Sequence, residues 1–258
     1  ILHSSGDFHV LVFVTTAPGP DVVEEVRALN RSTEGSVARR IYAGKTDLAG
    51  RQSAQIGEKN WNAIVLLQYP SRAAYDRHAQ SQEMRTAFGC FDEVYVQGFQ
   101  RWPVVSAMIP QALLAIRAGQ IVGGRPSHFP FERAKGLDAH PEAAENERRL
   151  REETELGAHA VVVVNLMKDG APDQQAANRS YGASMFGAMA EGGYGPLHVG
   201  EAVRIERDYD FDTVALVYYP GVEFFADMMT SDFFQGIYGD KQLGDTQAVV
   251  TVPILDRL

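Results

Sequence analysis

The chain repeats itself at one fixed offset. His9-Val10-Leu11-Val12-Phe13-Val14 has a counterpart in His159-Ala160-Val161-Val162-Val163-Val164. Trp61-Asn62-Ala63-Ile64-Val65-Leu66-Leu67-Gln68-Tyr69-Pro70 matches Phe211-Asp212-Thr213-Val214-Ala215-Leu216-Val217-Tyr218-Tyr219-Pro220. Ser81 pairs with Ser231, Gln97 with Gln247 and Pro103 with Pro253, all 150 positions apart. A constant offset over half a chain restricts the fold more than any local propensity, because both copies must build the same supersecondary unit. The reading is a tandem duplication, with copies at residues 8–108 and 158–255 and a linker at 109–157.

The second copy is the easier one to read. Ala160 to Leu166 is a β-branched run of strand length, apolar on both faces. Pro172-Asp173 opens a helix over Gln174 to Ala190, with Ala177, Tyr181, Met185, Ala188 and Met189 at helical spacing. Gly192-Gly193-Tyr194-Gly195-Pro196 ends it, and Leu197 to Glu206 alternates as a strand. A strand over Thr213 to Tyr219, a helix over Val222 to Met229, a helical piece around Phe233 to Tyr238 and a strand over Thr246 to Val252 complete the copy. The order β-α-β-β-α-β is that of a ferredoxin-like unit. Its helices cover one sheet face, and the other face is still apolar and needs a partner. The expected fold class is α+β: two ferredoxin-like βαββαβ repeats packed sheet against sheet as an intrachain pseudo-dimeric barrel, with the ligand cavity between the sheets. In the linker, Gly119 to Pro130 reads as irregular and Glu142 to Leu156 as a charged, solvated helix that tethers the copies.

Several of these segments resemble one family. Val161 to Lys168, the Gly-Gly before the second strand, and Tyr218-Tyr219-Pro220 through Ser231-Asp232-Phe233-Phe234-Gln235 are similar to the domain-of-unknown-function 1330 family. Gln68 to Tyr75 in the first copy is similar to the same region, whereas Thr15-Thr16 stands where the second copy has Asn165-Leu166. The resemblance implies the dimeric α+β barrel fold and no particular reaction, since the superfamily includes cofactor-free monooxygenases, cyclases, isomerases, haem enzymes and binding proteins.

Composition narrows the chemistry. Twenty-four Lys+Arg against 33 Asp+Glu leave a net charge of −9, which repels phosphate backbones, and no basic patch offsets it; a nucleic-acid partner is not expected. Cys90 is the only cysteine, so no intrachain disulfide or cysteine zinc cluster forms, and without a neighbouring base it reads as an inert thiol. Asp208-Tyr209-Asp210-Phe211-Asp212 starts like a calcium loop but carries Thr213 and Tyr219 where Gly and Glu are needed, and reads as a hairpin turn. No histidine pair has metal-ligand spacing, and no cofactor is expected; haem stays open, because a single axial His suffices. Val104 to Val122 is apolar but carries Pro110, Gln111, Arg117 and Gln120, and reads as a surface helix or strap, with no membrane span in the chain. The first residue is Ile1, so a signal or anchor upstream is left open, and no compartment is assigned. Monomer is the default, because the internal pairing covers the faces that single-copy chains would use to dimerise.

The candidate site comprises polar residues on elements that would line the cavity. Asn165 and Tyr218 are expected to bind the ligand, and His198, Tyr181 and Glu201 to carry proton transfer on a small, largely apolar organic molecule. Two functions follow, a cofactor-independent cyclase, isomerase or monooxygenase, or a non-catalytic binding module. A filled barrel serving structure or interaction is the third. The matched first-copy positions Thr15, Leu48, Arg51 and Gln68 have drifted in type, so the site is expected to be single and biased to the second copy.

Overall fold

Two valine-rich strands set the frame. The computed structural model describes residues 7–17, 21–137, 147–148, 160–205 and 209–258, with only the backbone at 47–49. Its strands are β1 (Phe8–Thr15), β2 (Arg39–Ala49), β3 (Ala63–Tyr69), β4 (Glu93–Arg101), β5 (Val161–Lys168), β6 (Gly195–Val203), β7 (Thr213–Tyr219) and β8 (Asp245–Pro253). The helices are α1 (Val22–Thr33), α2 (Arg72–Ala79), α3 (Gln82–Phe88), α4 (Pro103–Val122), α5 (Pro172–Gly192), α6 (Val222–Met229) and α7 (Asp232–Tyr238).

The strands form one closed antiparallel barrel in the order β1-β3-β2-β8-β5-β7-β6-β4. This corrects the expectation of two ferredoxin-like repeats stacked sheet on sheet. The edges that two such sheets would leave are hydrogen-bonded to each other, β2 to β8 from Gly44↔Pro253 to Ala49↔Val249, and β4 to β6 from Gly98↔Val203 to Arg101↔Gly200. Closure removes every unpaired edge, which stacking would not do. The second correction concerns the interior. Leu11, Phe13, Trp61, Tyr95, Phe99, Leu166, Phe211 and Leu216 fill it, with Phe13 5.6 Å from Trp61 and 5.4 Å from Tyr95 between ring centroids. Eight strands enclose about the width that side chains can fill, and here they do.

Local signals explain the helices. Ser81 and Ser231, 150 positions apart, each cap a helix: their hydroxyls accept from the Met84 and Phe234 amides at 3.2 and 3.1 Å. Pro172 starts α5, where a missing N–H costs nothing, and Gly193 at φ 67° closes it in the left-handed region. Helix α4 packs through Ile109 and Gln120, the latter donating to the Gly187 carbonyl on α5 at 3.0 Å. Only 11% of its most apolar window is buried, and among the described helices it alone has the length and composition to cross a membrane. Past α4, residues 123–137 run over the second half. Phe129 and Phe131 pack on Phe224, and the Ala134 amide donates to the Thr230 carbonyl at 2.9 Å. Of the charged tether helix, only Glu147 and Arg148 fall within the described residues.

Candidate functional site

Alternation along β5 decides where the cavity lies. Val162, Val164 and Leu166 face the barrel interior, so Val163, Asn165 and Met167 face outward. Outside β5, β7 and β8, beneath α5, α6 and α7, is a cavity of about 760 Å³. Its floor includes Val163, Asn165, Ala215, Val217, Ala248 and Val250, and its roof Tyr181, Met185, Met189, Phe225 and Phe234. The site therefore lies outside the barrel, not between two sheets.

In the first half the corresponding space is packed. Val22, Val23, Val26 and Leu29 of α1 lie in one cluster with Val10, Val12, Val65 and Leu67. At the matched positions of β7, Val65 and Leu67 are replaced by Ala215 and Val217, which lowers the floor. Opposite, α5 carries Gly182, where an added Cβ would meet nothing within 4 Å. Smaller side chains on both walls leave the volume that in the first half is filled.

A few polar groups interrupt this lining. The Asn165 amide donates weakly to the Val163 carbonyl at 3.3 Å. Burial, with Tyr238 nearby, pushes the Tyr181 phenol well above its ordinary range, so at neutral pH it is protonated and a hydrogen-bond donor. Its ring lies 5.9 Å from the Lys241 Nζ. Lys241 and Arg51 both line the cavity; burial, and then the Arg51 charge, lower the Lys241 ammonium below the usual lysine range. Arg51 comes from the first half. It is carried there by the β2–β8 seam, where the Gly50 amide donates to the Ala248 carbonyl at 2.9 Å and the Ala248 amide to the Arg51 carbonyl at 2.8 Å. The cavity is built mainly from the second half, with Gly50 and Arg51 of the first half also in its lining.

Of the residues singled out in the sequence, Tyr181 and Asn165 meet in the cavity. His198, paired with Leu216, lies on the interior side of β6, its ring 6.2 Å from that of His9. Glu201, three residues on, is exposed on the opposite face. Tyr218 is half-buried near the end of β7 and does not line the cavity. The His198, Tyr181 and Glu201 side chains are therefore not assembled into one relay. Sequence reading missed Lys241 and Arg51, which sit in a turn and a loop where no periodicity marks orientation; their only signal was positive charge in an acidic chain.

A haem held by histidine needs an imidazole at the cavity wall. Among the described residues none is there: His9 and His198 face the barrel interior, His78 bonds the Tyr69 hydroxyl at 2.9 Å, and His128 bonds Glu191 at 3.0 Å. His159 lies outside the described residues. Among the described residues the lining therefore offers no imidazole to a haem, and His3 and His140 too lie outside them. No group of three or more potential metal ligands occurs among the described residues. Asp210 of the calcium-like turn is instead paired with Lys168 and Arg204.

No family model matches the chain, and no curated protein matches it. Solved structures similar to it include an anthrone oxidase-like protein, at 8% identity and a TM-score of 0.49, covering 98% of this chain and 93% of that one. A protein assigned as a monooxygenase from Lactobacillus acidophilus NCFM is 11% identical, with a TM-score of 0.47 and coverage of 96% and 94%. Chlorite dismutase from Candidatus Nitrospira defluvii, in complex with imidazole, is 9% identical, with a TM-score of 0.47 and coverage of 99% and 94%. These are likenesses of whole chains, and they assign no chemistry to this one.

Proposed function

We propose that the protein binds a small, largely apolar organic molecule in the cavity between the outer face of β5, β7 and β8 and helices α5 to α7. The observation that carries this reading is the contrast between halves: the same position is filled core in one and about 760 Å³ of space in the other. That volume lies within the range of small-molecule pockets, and a mostly apolar lining with a few placed polar groups is their usual composition. The protonated Tyr181 phenol supplies a donor at the wall, and Asn165 a short amide. An occupant that binds only the folded chain would add to its stability by mass action.

The test is titration with the neutral fluorophore N-phenylnaphthylamine, whose emission rises on entering an apolar cavity. Saturable binding is expected, and Gly182→Leu, which directs a side chain into open space, should abolish it while the protein stays folded by circular dichroism. An absence of saturable binding, or binding that persists in Gly182→Leu, would overturn the reading.

A further inference from the structure

Two cations line the cavity, the half-buried Lys241 and the exposed Arg51, in a chain with nine more acidic than basic groups. Arg51 and Lys241 are 190 positions apart, and the β2–β8 seam brings both to the same lining. Lys241 sits in the turn after α7, its backbone amide donating to the Tyr238 carbonyl at 3.0 Å. Its Nζ lies 5.9 Å from the Tyr181 ring.

No carboxylate answers these charges among the described residues. Glu147 lines the cavity but is paired with Arg133. Asp245, at the start of β8, accepts from the Ser53 hydroxyl at 2.6 Å and the Gln55 amide group at 3.0 Å. Asp240, next to Lys241, is exposed and forms no ion pair with it. An ammonium beside methionine and aromatic side chains, with a second cation nearby, is destabilised until an anion reaches it. The phenol of Tyr181, held protonated, is a third donor for the same anion.

We infer that the molecule taken up is an organic acid, an apolar body carrying one carboxylate that is held by Lys241 and Arg51. This rests on the cavity being a binding site, as proposed above, and adds the class of ligand. Two alternative roles for the cations fit less well. A phosphate-rich ligand would need more donors than this apolar lining provides, and a purely neutral ligand would leave the half-buried Lys241 ammonium with no counter-charge from the described residues.

Two dyes that differ only by an acidic group separate the possibilities. Anilinonaphthalene sulfonate is the anionic counterpart of N-phenylnaphthylamine, with the sulfonate standing in for a carboxylate. The anionic dye is expected to bind about tenfold more tightly. Decanoate should displace it, and decanol should do so less well. Lys241→Met should remove most of the anionic dye's preference while leaving the neutral dye within about twofold, and Lys241→Arg should keep most of that preference. Arg51→Met should cost the anionic dye alone a smaller factor. Gly182→Leu should remove both dyes, which tells the cavity from the exposed face of α4. Equal affinity of the two dyes, or an anionic dye indifferent to Lys241→Met, overturns the inference and leaves the cavity reading standing. Failure of both dyes to bind overturns both.

Discussion

Two glycines illustrate how opposite the demands on one residue type are. At Gly200, in the β4–β6 seam, an added Cβ would sit 2.2 Å from the Gln100 carbonyl oxygen, a backbone atom that cannot swing away. Gly200→Ala should therefore cost about 1–3 kcal/mol, as overpacking does, and the cost falls on barrel closure. At Gly182, on α5, the same methyl meets nothing within 4 Å. Gly182→Ala should stabilise by about 0.5–1 kcal/mol, because alanine loses less backbone freedom in a helix. Urea unfolding midpoints should move in opposite directions for the two variants. Two shifts of the same sign would contradict the placement of one of them. The same contrast shows what sequence can convey about single residues: that Gly182 belongs to a helix is readable from spacing, and that it faces empty space is not.

Among the elements, the segment after α4 depends on one buried carboxylate. The Glu191 side chain is 2% exposed; it accepts from the His128 amide at 2.7 Å, the His128 ring at 3.0 Å and the Ser127 hydroxyl at 3.2 Å. Burial raises its pKa, but these hydrogen bonds outweigh burial and hold it below the usual glutamate value of 4.5. A carboxyl lowered on folding stabilises above its unfolded pKa, and that contribution disappears as pH falls through the folded one. Glu191→Gln should cost about 1–2 kcal/mol at neutral pH, by the scale of hydrogen bonds to charged groups. The gap in melting temperature between the variant and the parent should narrow as pH falls below the ordinary glutamate value and close once the folded carboxyl is protonated. A gap that stays constant from neutral to acid would show that the carboxylate is not what anchors the segment. Most helices and strands of the second half were legible in advance, since β-branched runs and Pro, Gly and Ser punctuation are local signals. The strand expected over Thr213 to Tyr219 and the helix over Val222 to Met229 have those bounds. Tyr181 and Asn165 were also legible as polar interruptions of apolar patterns, whereas His198 and Glu201 share a strand expected to line the cavity, and alternation along it sends them to opposite faces.

At the scale of the whole molecule, what sequence did not reveal was the joining of strands far apart in the chain. Edge pairing such as Lys45↔Val252 is made by backbone groups common to all residues but proline, so it leaves no side-chain signature, and the stacked-sheet expectation had nothing to contradict it. The position of the cavity was hidden for the same reason, because it depends on the summed volumes of two facing walls. Closure has a kinetic consequence. The Gly50 and Ala248 amides, bonded across the β2–β8 seam, exchange with solvent deuterium only when that seam parts. Arg51 occupies the same stretch and touches the cavity, so an occupant that engages it must leave before the seam opens. At a hundred times its dissociation constant, such an occupant contributes about 2.7 kcal/mol to the closed form. Deuterium uptake at these two amides should then slow by about a hundredfold, while exposed amides such as those of the turn at Gly35 keep their rate. The seam amides thus act as a clock for occupancy, read on the far side of the strands from the bound molecule's roof.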